Sequence, residues 1–168
     1  MIHLEEFCKS HHRIQWRTDF ANTFNMVCQA SWEMNQESGV QYIVENPYEQ
    51  LVVEIDAQNV SVILEQIILN ACQHTHQGSV HARIDYIGDR LIIAVEDTGE
   101  GIDETLQPNI FERFATGASS GSGLGLSICY ELIQQMNGTI NIKSKPGKGT
   151  TVWFSIPCKM TEMVRNKK

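Results

Sequence analysis

The sequence predicts an α/β fold, a two-layer sandwich in which a mixed β-sheet is covered on one face by about three helices. The prediction rests on the order of the periodic segments, which runs helix, two strands, helix, two strands, helix, two strands. Because helices never alternate with single strands, a doubly wound parallel sheet is disfavoured. Two strands between successive helices are typical of a mixed sheet with its helices on one face.

The first helix follows an N-terminal segment that has no clear pattern. Apolar residues recur at spacings of three to four from Thr18 onward, and Gly39 can end the helix. Residues 1–39 are therefore assigned to a linker and the first helix. The expected inward positions are Phe20, Phe24, Val27, Ser31 and Met34.

Two short strands, at residues 40–45 and 51–56, precede the clearest helix of the chain. Asp56 is a good N-cap, because its carboxylate can accept a hydrogen bond from a backbone N–H of the first turn. The helix is expected to run to about residues 73–75 and to stop before Gly78. Its apolar face consists of Val60, Ile63, Leu64, Ile67, Ile68 and Ala71.

The second half of the chain predicts two strand pairs on either side of a third helix. Gly88 and Asp89 form a favourable hairpin turn between the strands at residues 79–87 and 90–96. The last residues, 158–168, are predicted to be a polar C-terminal tail. The third helix is expected at 124–136, with Leu124, Ile128, Leu132, Ile133 and Met136 facing inward, and the closing strands at 139–144 and 150–156.

Composition excludes several classes of function. The 168 residues carry a formal charge of −7, which disfavours nucleic acid or direct contact with an anionic membrane. The five cysteines are far apart and include no Cys-x-x-Cys pair, so neither a zinc site nor a disulfide framework is expected. No apolar run reaches the length of a membrane helix, and no signal peptide is recognised. We therefore expect a cytoplasmic domain, whose parent protein can still be anchored in the inner membrane.

Two polar motifs lie on the central helix and at the end of a strand. Asn70 borders the apolar face of the helix, where its amide can offer an oxygen to a metal or N–H donors to a phosphate. Asp97 directly follows the apolar strand 91–95, and its carboxylate can accept the amino group of adenine. Gly99 and Gly101 allow a sharp turn and a close approach to a flat ring. A surface asparagine and a plain Asp-Gly turn are the structural alternatives.

Two glycine-rich motifs follow. Residues 121–126, Gly-Ser-Gly-Leu-Gly-Leu, lead into a helix, where exposed N–H groups and the helix dipole suit a polyphosphate. A Rossmann interpretation fails because a polar loop precedes the motif, and a Walker A interpretation fails because no Gly-Lys-Ser/Thr follows. Residues 147–150, Gly-Lys-Gly-Thr, lie in a predicted hairpin turn and are by themselves typical of a plain turn.

Together these motifs resemble those of the GHKL (Bergerat) ATP-binding fold, shared by histidine kinases, DNA gyrase, mismatch-repair ATPases and heat-shock chaperone ATPases. The resemblance covers about residues 40–157. It implies the ATP-binding catalytic domain of a two-component sensor histidine kinase, which donates the γ-phosphoryl group of Mg-ATP to a histidine outside this chain. The matching segments are Ile68–Ala71 (N-box), Asp97–Ile102 (first glycine box), Phe111–Phe114 (F-box), Gly121–Leu126 (second glycine box) and Gly147–Thr150 (last glycine box).

The resemblance also implies roles for single residues. Asn70 would coordinate Mg²⁺ and, through it, the phosphates. Asp97 would bind the adenine amino group, Gly101 would make room for the base, and Thr150 would lie near the adenine end through a water. His74 stands where the family often has an aromatic residue near the base. The other positions expected to contact the nucleotide are Gly99, Ile102, Gly121, Gly123, Leu124, Gly125 and Leu126.

The sequence departs from the family pattern in three places. Gln66 replaces the glutamate that activates water in the hydrolysing members, and an amide cannot act as a base, so ATP hydrolysis should be slow. Gln73 stands three residues after Asn70, where the family often has a lysine or an arginine. His11 and His12 are followed by Arg13 rather than by the carboxylate expected of a phosphoacceptor site. The resemblance thus implies a histidine-bearing dimerisation domain, in the same parent protein or in trans, with a response regulator downstream.

Two other functions stay open at this point. An anti-sigma-factor-type protein-serine kinase usually retains an acidic residue where this chain has Gln66. A degenerate nucleotide-binding scaffold module would account for Gln73 and for the missing acceptor histidine. The intact glycine boxes and Asp97 speak against that second alternative.

Overall fold

The computed structural model describes residues 16–112 and 125–168. Within these ranges three helices pack against a mixed five-stranded sheet, which confirms the predicted fold class, and three further strands form a second sheet. The elements are β1 (Trp16–Asp19), α1 (Phe20–Met34), β2 (Val40–Glu45), β3 (Tyr48–Ile55), α2 (Ala57–Gln73), β4 (Gly78–Ile87), β5 (Arg90–Asp97), a 3₁₀ turn (Gln107–Asn109), α3 (Gly125–Gln135), β6 (Thr139–Lys145), β7 (Gly149–Pro157) and β8 (Lys159–Arg165).

The five-stranded sheet has the order β2-β4-β5-β7-β6. Only the β2–β4 pair is parallel, and the other pairs of this sheet are antiparallel. Gly88 and Asp89, with φ of 57° and 59°, form the predicted tight turn between β4 and β5. The resulting register places Asp97 opposite Val80 on β4 and opposite Thr150 on β7.

Helix α2 lies between α1 and α3 and also contacts β4 and β5. Asp56 caps it as predicted, since its carboxylate accepts a hydrogen bond from the Asn59 N–H at 3.1 Å. Every apolar residue that the sequence assigns to its inner face is buried. Because full burial of one aliphatic side chain contributes about 1.5–3 kcal/mol, this face anchors the helical layer.

Two predicted inward positions on the flanking helices are wrong. Met34 is 86% exposed, because α1 turns its last residue outward and buries Trp32 instead. Ile128 is 42% exposed, because α3 packs through its small residues Ser127 and Cys129. The thiol of Cys129 lies 3.8 Å from the carbonyl oxygen of Ile63 on α2, so the two helices approach closely along this face.

Most of the cysteines that the structure describes lie in the core. Cys28, Cys72 and Cys129 are buried, and all of the described cysteines are free thiols. Burial raises the pKa of the Cys28 and Cys129 thiols to about 12, which keeps both neutral. None of the helices in the described ranges is long and apolar enough to cross a membrane.

The predicted polar tail is also wrong, because residues 159–165 form strand β8. Strand β8 pairs antiparallel with one edge of β3, and β1 pairs with the other edge. Met160 and Met163 pack against the core, at a spacing that breaks the alternation of an ordinary strand. A register shift explains this spacing: neighbouring Val52 and Val53 pair with Glu162 and Met160, so one residue of β8 is skipped.

Deleting residues 159–168 should lower the free energy of unfolding by roughly 2–4 kcal/mol, because two methionines lose their packing and β3 loses a partner strand. A matched deletion of residues 167–168 lies beyond the strand and should leave stability unchanged. Urea unfolding followed by circular dichroism measures both. An unchanged midpoint for the longer deletion would mean that β8 adds nothing to the fold.

Candidate functional site

A buried carboxylate ends the central strand β5. Asp97 is 6% exposed, and its Oδ1 accepts a hydrogen bond from the Gly99 N–H at 2.9 Å. Burial raises the pKa of the Asp97 carboxyl, while the backbone N–H groups of Gly99 and Thr150, the charge of His74 and the nearby Thr75 hydroxyl act to lower it. The carboxylate is therefore costly to ionise in the ligand-free protein and keeps acceptor capacity for another donor.

Thr75 lies beside this carboxylate, just beyond the end of α2. It is 1% exposed, and its Oγ1 has no partner in hydrogen-bonding geometry within the described residues. Its hydroxyl still lies close enough to the carboxylate to lower the pKa of Asp97. The pair of Asp97 and Thr75 thus offers hydrogen-bonding capacity that a ligand could satisfy.

The loop after Asp97 is pressed against two neighbouring elements. A Cβ on Gly99 would lie 2.0 Å from the carbonyl oxygen of His74, and a Cβ on Gly101 would lie 2.3 Å from that of Lys145. Gly101 also has a φ of 74°, which other residues rarely adopt. The motif glycines are therefore required by close approach of neighbouring backbone on both sides, whereas the sequence predicted a sharp turn and an approach to a flat ring.

A second close approach comes from the β6–β7 hairpin. A Cβ on Gly149 would lie 2.0 Å from the carbonyl oxygen of Asp97, so the start of β7 touches the end of β5. Thr150, the next residue, is buried beside Asp97. The last glycine motif is thus part of the site and more than a plain turn.

The sequence analysis missed a serine that organises this corner. Ser144 Oγ accepts a hydrogen bond from the Ile102 N–H at 2.8 Å and lies 2.7 Å from Thr150 Oγ1 and 3.1 Å from the carbonyl oxygen of Gly149. Gln107 Nε2 donates to the carbonyl oxygen of Ile102 at 2.9 Å. Ser144 carries no motif signal of its own, because its role comes from contacts between strands.

His74 and Glu100 close one side of the site. His74 Nδ1 lies 2.6 Å from Glu100 Oε1, and the Glu100 N–H donates to the carbonyl oxygen of His74 at 3.1 Å. Both side chains are partly solvated, so their contact adds little to stability. It does tie the end of α2 to the loop after β5, and Glu100 is a second residue that the sequence analysis did not single out.

Asn70 lies one turn before the end of α2 and is partly buried. It makes no side-chain hydrogen bond to another residue of the described ranges, so its amide is available to a ligand. Gln66 lies one turn earlier, with its Oε1 3.0 Å from where a Cβ on Gly125 would stand. The two amides therefore continue the site along α2 toward the start of α3.

The described part of the chain holds no cluster of three His, Cys, Asp or Glu side chains that could bind a metal ion. A divalent cation near Asn70 would therefore need oxygen ligands from a bound molecule or from water, which suits Mg²⁺ held between an amide oxygen and phosphates. The residues present fit such a cation only together with its nucleotide.

The structure brings six of the twelve predicted site residues together. Asp97, Gly99, Gly101, Ile102 and Thr150 share one corner, with His74 and Thr75 beside them. Gly125 and Leu126 are the first described residues of α3, and Gly125 contacts Gln66. The remaining predicted positions, Gly121, Gly123 and Leu124, lie outside the described residues.

Comparison with known proteins bears on this arrangement. The family described as histidine kinase-, DNA gyrase B-, and HSP90-like ATPase matches residues 55–160. The sensor histidine kinase WalK of Bacillus subtilis is 36% identical over 137 residues, which cover 76% of this chain and 22% of WalK. The sensor histidine kinase MtrB of Mycobacterium tuberculosis is 30% identical over 156 residues, which cover 89% of this chain and 27% of MtrB. The chain thus spans about a quarter of the length of these relatives.

Solved structures give the same result. The catalytic domain of the histidine kinase ThkA is similar with a TM-score of 0.70 and 26% identity, covering 84% of this chain and 95% of that domain. Full-length ShkA in complex with AMPPNP is similar in fold, with a TM-score of 0.73 and 24% identity over 88% of this chain and 32% of ShkA. The family match and the two relatives confirm the family resemblance that the four motifs predicted, and the solved structures agree with it in fold.

Replacing Asp97 by Asn should leave the melting temperature of the ligand-free protein equal or higher at about pH 7, because the desolvation of a buried charge is removed. The pKa of Asp97 is raised above its ordinary 3.8, so the folded state binds the proton more tightly than the unfolded chain. Its contribution to stability therefore falls as the pH rises from that ordinary value to the raised one, and it stays low above it.

The difference in melting temperature between Asp97→Asn and wild type should consequently be more positive at about pH 7 than at about pH 4. Differential scanning calorimetry without nucleotide at both pH values measures it. A variant that melts lower than wild type by the same amount at both pH values would show that Asp97 is not under this constraint.

Proposed function

The chain belongs to the family of histidine kinase-, DNA gyrase B- and HSP90-like ATPases, and we propose that it acts as the catalytic domain of a two-component sensor histidine kinase. In this proposal it binds Mg-ATP and transfers the γ-phosphoryl group to a histidine on a dimerisation domain outside the chain. A response regulator would receive the phosphoryl group downstream, and the domain would act on the cytoplasmic side of any membrane. The formal charge of −7 argues against nucleic acid as a partner.

The observation that carries the proposal is the buried acceptor corner around Asp97. An ionised carboxylate only accepts hydrogen bonds, so it favours a ligand group that donates them. The amino group of adenine has that polarity, whereas the carbonyl oxygen of guanine would face the carboxylate with another acceptor. Gly99 and Gly101 hold the loop after Asp97 close to the end of α2 and to the end of β6, and Gly101 would lie near the base.

The proposed roles of the other residues follow their positions. Asn70 would offer its amide oxygen to Mg²⁺, which when bound neutralises charge on the phosphates. Gly125 and Leu126 would direct the N-terminal end of α3 at the phosphates, together with Gly121, Gly123 and Leu124. His74, Gly99, Ile102 and Thr150 would line the base end.

Gln66 makes direct hydrolysis slow in this proposal. Its amide cannot accept a proton from water, so Gln66, which faces Gly125, does not supply the base that hydrolysis needs. The transfer itself breaks the bond between the γ-phosphorus and the bridging oxygen of ADP. A bond forms to the unprotonated nitrogen of a neutral imidazole, and the proton on the other ring nitrogen leaves to a base or to solvent outside this chain.

Replacing Asn70 by Ala should remove most of the gain in ATP affinity that Mg²⁺ provides, a loss of roughly 1–3 kcal/mol, because one ligand of the cation is missing. Titration calorimetry with ATP, with and without Mg²⁺, measures the linkage. Gln58→Ala truncates an exposed amide at the other end of α2 and serves as the control. A persisting Mg²⁺ dependence together with a sharply lower melting temperature would make Asn70 a structural residue.

The activity itself is tested with ATP labelled in the γ position. The chain alone should bind ATP in preference to GTP and turn it over well below the median enzyme rate of about 10 s⁻¹. Adding the histidine-bearing dimerisation domain of the parent protein should produce an acid-labile, base-stable phosphohistidine. Phosphoserine on a partner would instead indicate an anti-sigma-factor-type kinase. No binding at millimolar ATP would indicate a scaffold module, and rapid hydrolysis by the chain alone would contradict the role of Gln66.

A further inference from the structure

Ser144 lies where three segments of the site meet: strand β6, the loop after β5 and the start of β7. We propose that Ser144 is a positioning residue that sets the base specificity of the site, because it forces the Thr150 hydroxyl to donate inward and to present only acceptor lone pairs to the bound base. The proposal rests on the proposed nucleotide-binding function and goes beyond it by naming the residue that sets the hydrogen-bond polarity of Thr150.

The argument is a count of protons. A serine hydroxyl has one proton to donate and two lone pairs that accept. The carbonyl oxygen of Gly149, 3.1 Å from Ser144 Oγ, can only accept, and the Ile102 N–H, at 2.8 Å, can only donate. The contact with Thr150 Oγ1, at 2.7 Å, allows either direction. All three contacts are hydrogen bonds in only one arrangement: Ser144 donates to Gly149 and accepts from Ile102 and Thr150.

This arrangement commits the only hydroxyl proton of Thr150. Its oxygen then has acceptor capacity alone for any other group. Thr150 stands opposite Asp97 in the β5–β7 pairing, and both residues are buried. The corner therefore presents two acceptors, a carboxylate and a hydroxyl oxygen, and no hydroxyl proton from Thr150.

Hydrogen bonds from Gln107 help to hold Ser144 and Ile102 in this geometry. Gln107 Nε2 donates to the carbonyl oxygen of Ile102 at 2.9 Å and reaches that of Ser144 at 3.4 Å. The backbone segments that carry Ser144 and Ile102 are thereby joined a second time. The Ile102 N–H therefore stays directed at Ser144 Oγ and occupies one of its two lone pairs. This contact keeps the hydrogen-bond count around Ser144 fixed.

Two acceptors can accept hydrogen bonds from both N–H groups of an amino group. They repel a carbonyl oxygen at the same place, because it is a third acceptor. Adenine and hypoxanthine differ at this position, since hypoxanthine has a carbonyl oxygen where adenine has its amino group. Ser144 should therefore matter for the ratio of ATP to inosine triphosphate affinity more than for the affinity of the shared triphosphate. A residue needed only for folding would change both affinities together.

The test measures dissociation constants of ATP and inosine triphosphate by titration calorimetry. In Ser144→Ala the Thr150 proton is released and can turn to the base, so ATP should bind more weakly and inosine triphosphate more tightly. A mismatch of one hydrogen bond should reduce the affinity ratio about tenfold. Thr150→Val should weaken ATP binding without weakening inosine triphosphate binding. Adding Ser144→Ala to Thr150→Val should then leave the ratio as in Thr150→Val alone.

Thr139→Ala is the matched control, since Thr139 lies on the same strand and its hydroxyl contacts Ser155 outside the site. An unchanged ratio in folded Ser144→Ala, or a further change in the double variant, would overturn the inference while ATP binding still supported the proposed function. Equal wild-type affinity for the two nucleotides would also overturn it, and no wild-type binding of ATP would overturn both proposals. If Ser144→Ala does not fold, Thr150→Val alone provides the test. An equal loss of affinity for ATP and for inosine triphosphate in that variant would contradict the inference.

Discussion

The burial of one carboxylate, Asp97, is the constraint on which the rest of the site depends. A buried charge is tolerated only where hydrogen bonds and nearby dipoles compensate it, and here the N–H of Gly99 bonds it directly while that of Thr150 lies close enough to lower its pKa. The compensation is incomplete, since burial still raises the pKa of Asp97, and the neighbouring Thr75 hydroxyl has no partner within the described residues. A fold that keeps two such groups in its interior gives up stability for recognition. That exchange is typical of binding sites and uncommon in a core that only needs to pack.

The backbone around Asp97 follows from the same constraint. Hydrogen bonds from main-chain N–H groups can reach a buried carboxylate only if the chain folds tightly around it. Gly99 is in contact with the end of α2, and Gly149 lies against the carbonyl of Asp97 itself. A Cβ at either position would force these segments apart. The glycine motifs that in the sequence indicate approach to a flat ring or a plain turn therefore also bring α2, β5 and β7 into contact with one another.

Much of this arrangement could be predicted from local pattern, and the failures have identifiable causes. The apolar face of α2, the Asp56 cap and the Gly88-Asp89 turn are determined by residues close in sequence, and all three are present. Strand β8 was missed because its register shift with β3 hides the alternation of its side chains. Ser144 and Thr75 were missed for another reason: each acquires its role from residues distant in sequence, through strand pairing and close packing. Periodicity and motif spacing contain no information about such contacts.

In the proposed function, the polar side chains of α2 would separate nucleotide recognition from chemistry. Gln66 and Asn70 lie one turn apart and continue the site toward α3 with neutral amides. A carboxylate at Gln66 would supply a base, but it would also repel a polyphosphate bound at the start of α3. Amides remove that repulsion and the base together, so a nucleotide held here would keep its phosphates until another group attacks them. In the proposed function, the transfer to an acceptor outside the chain would thus follow from the residues on one face of a single helix.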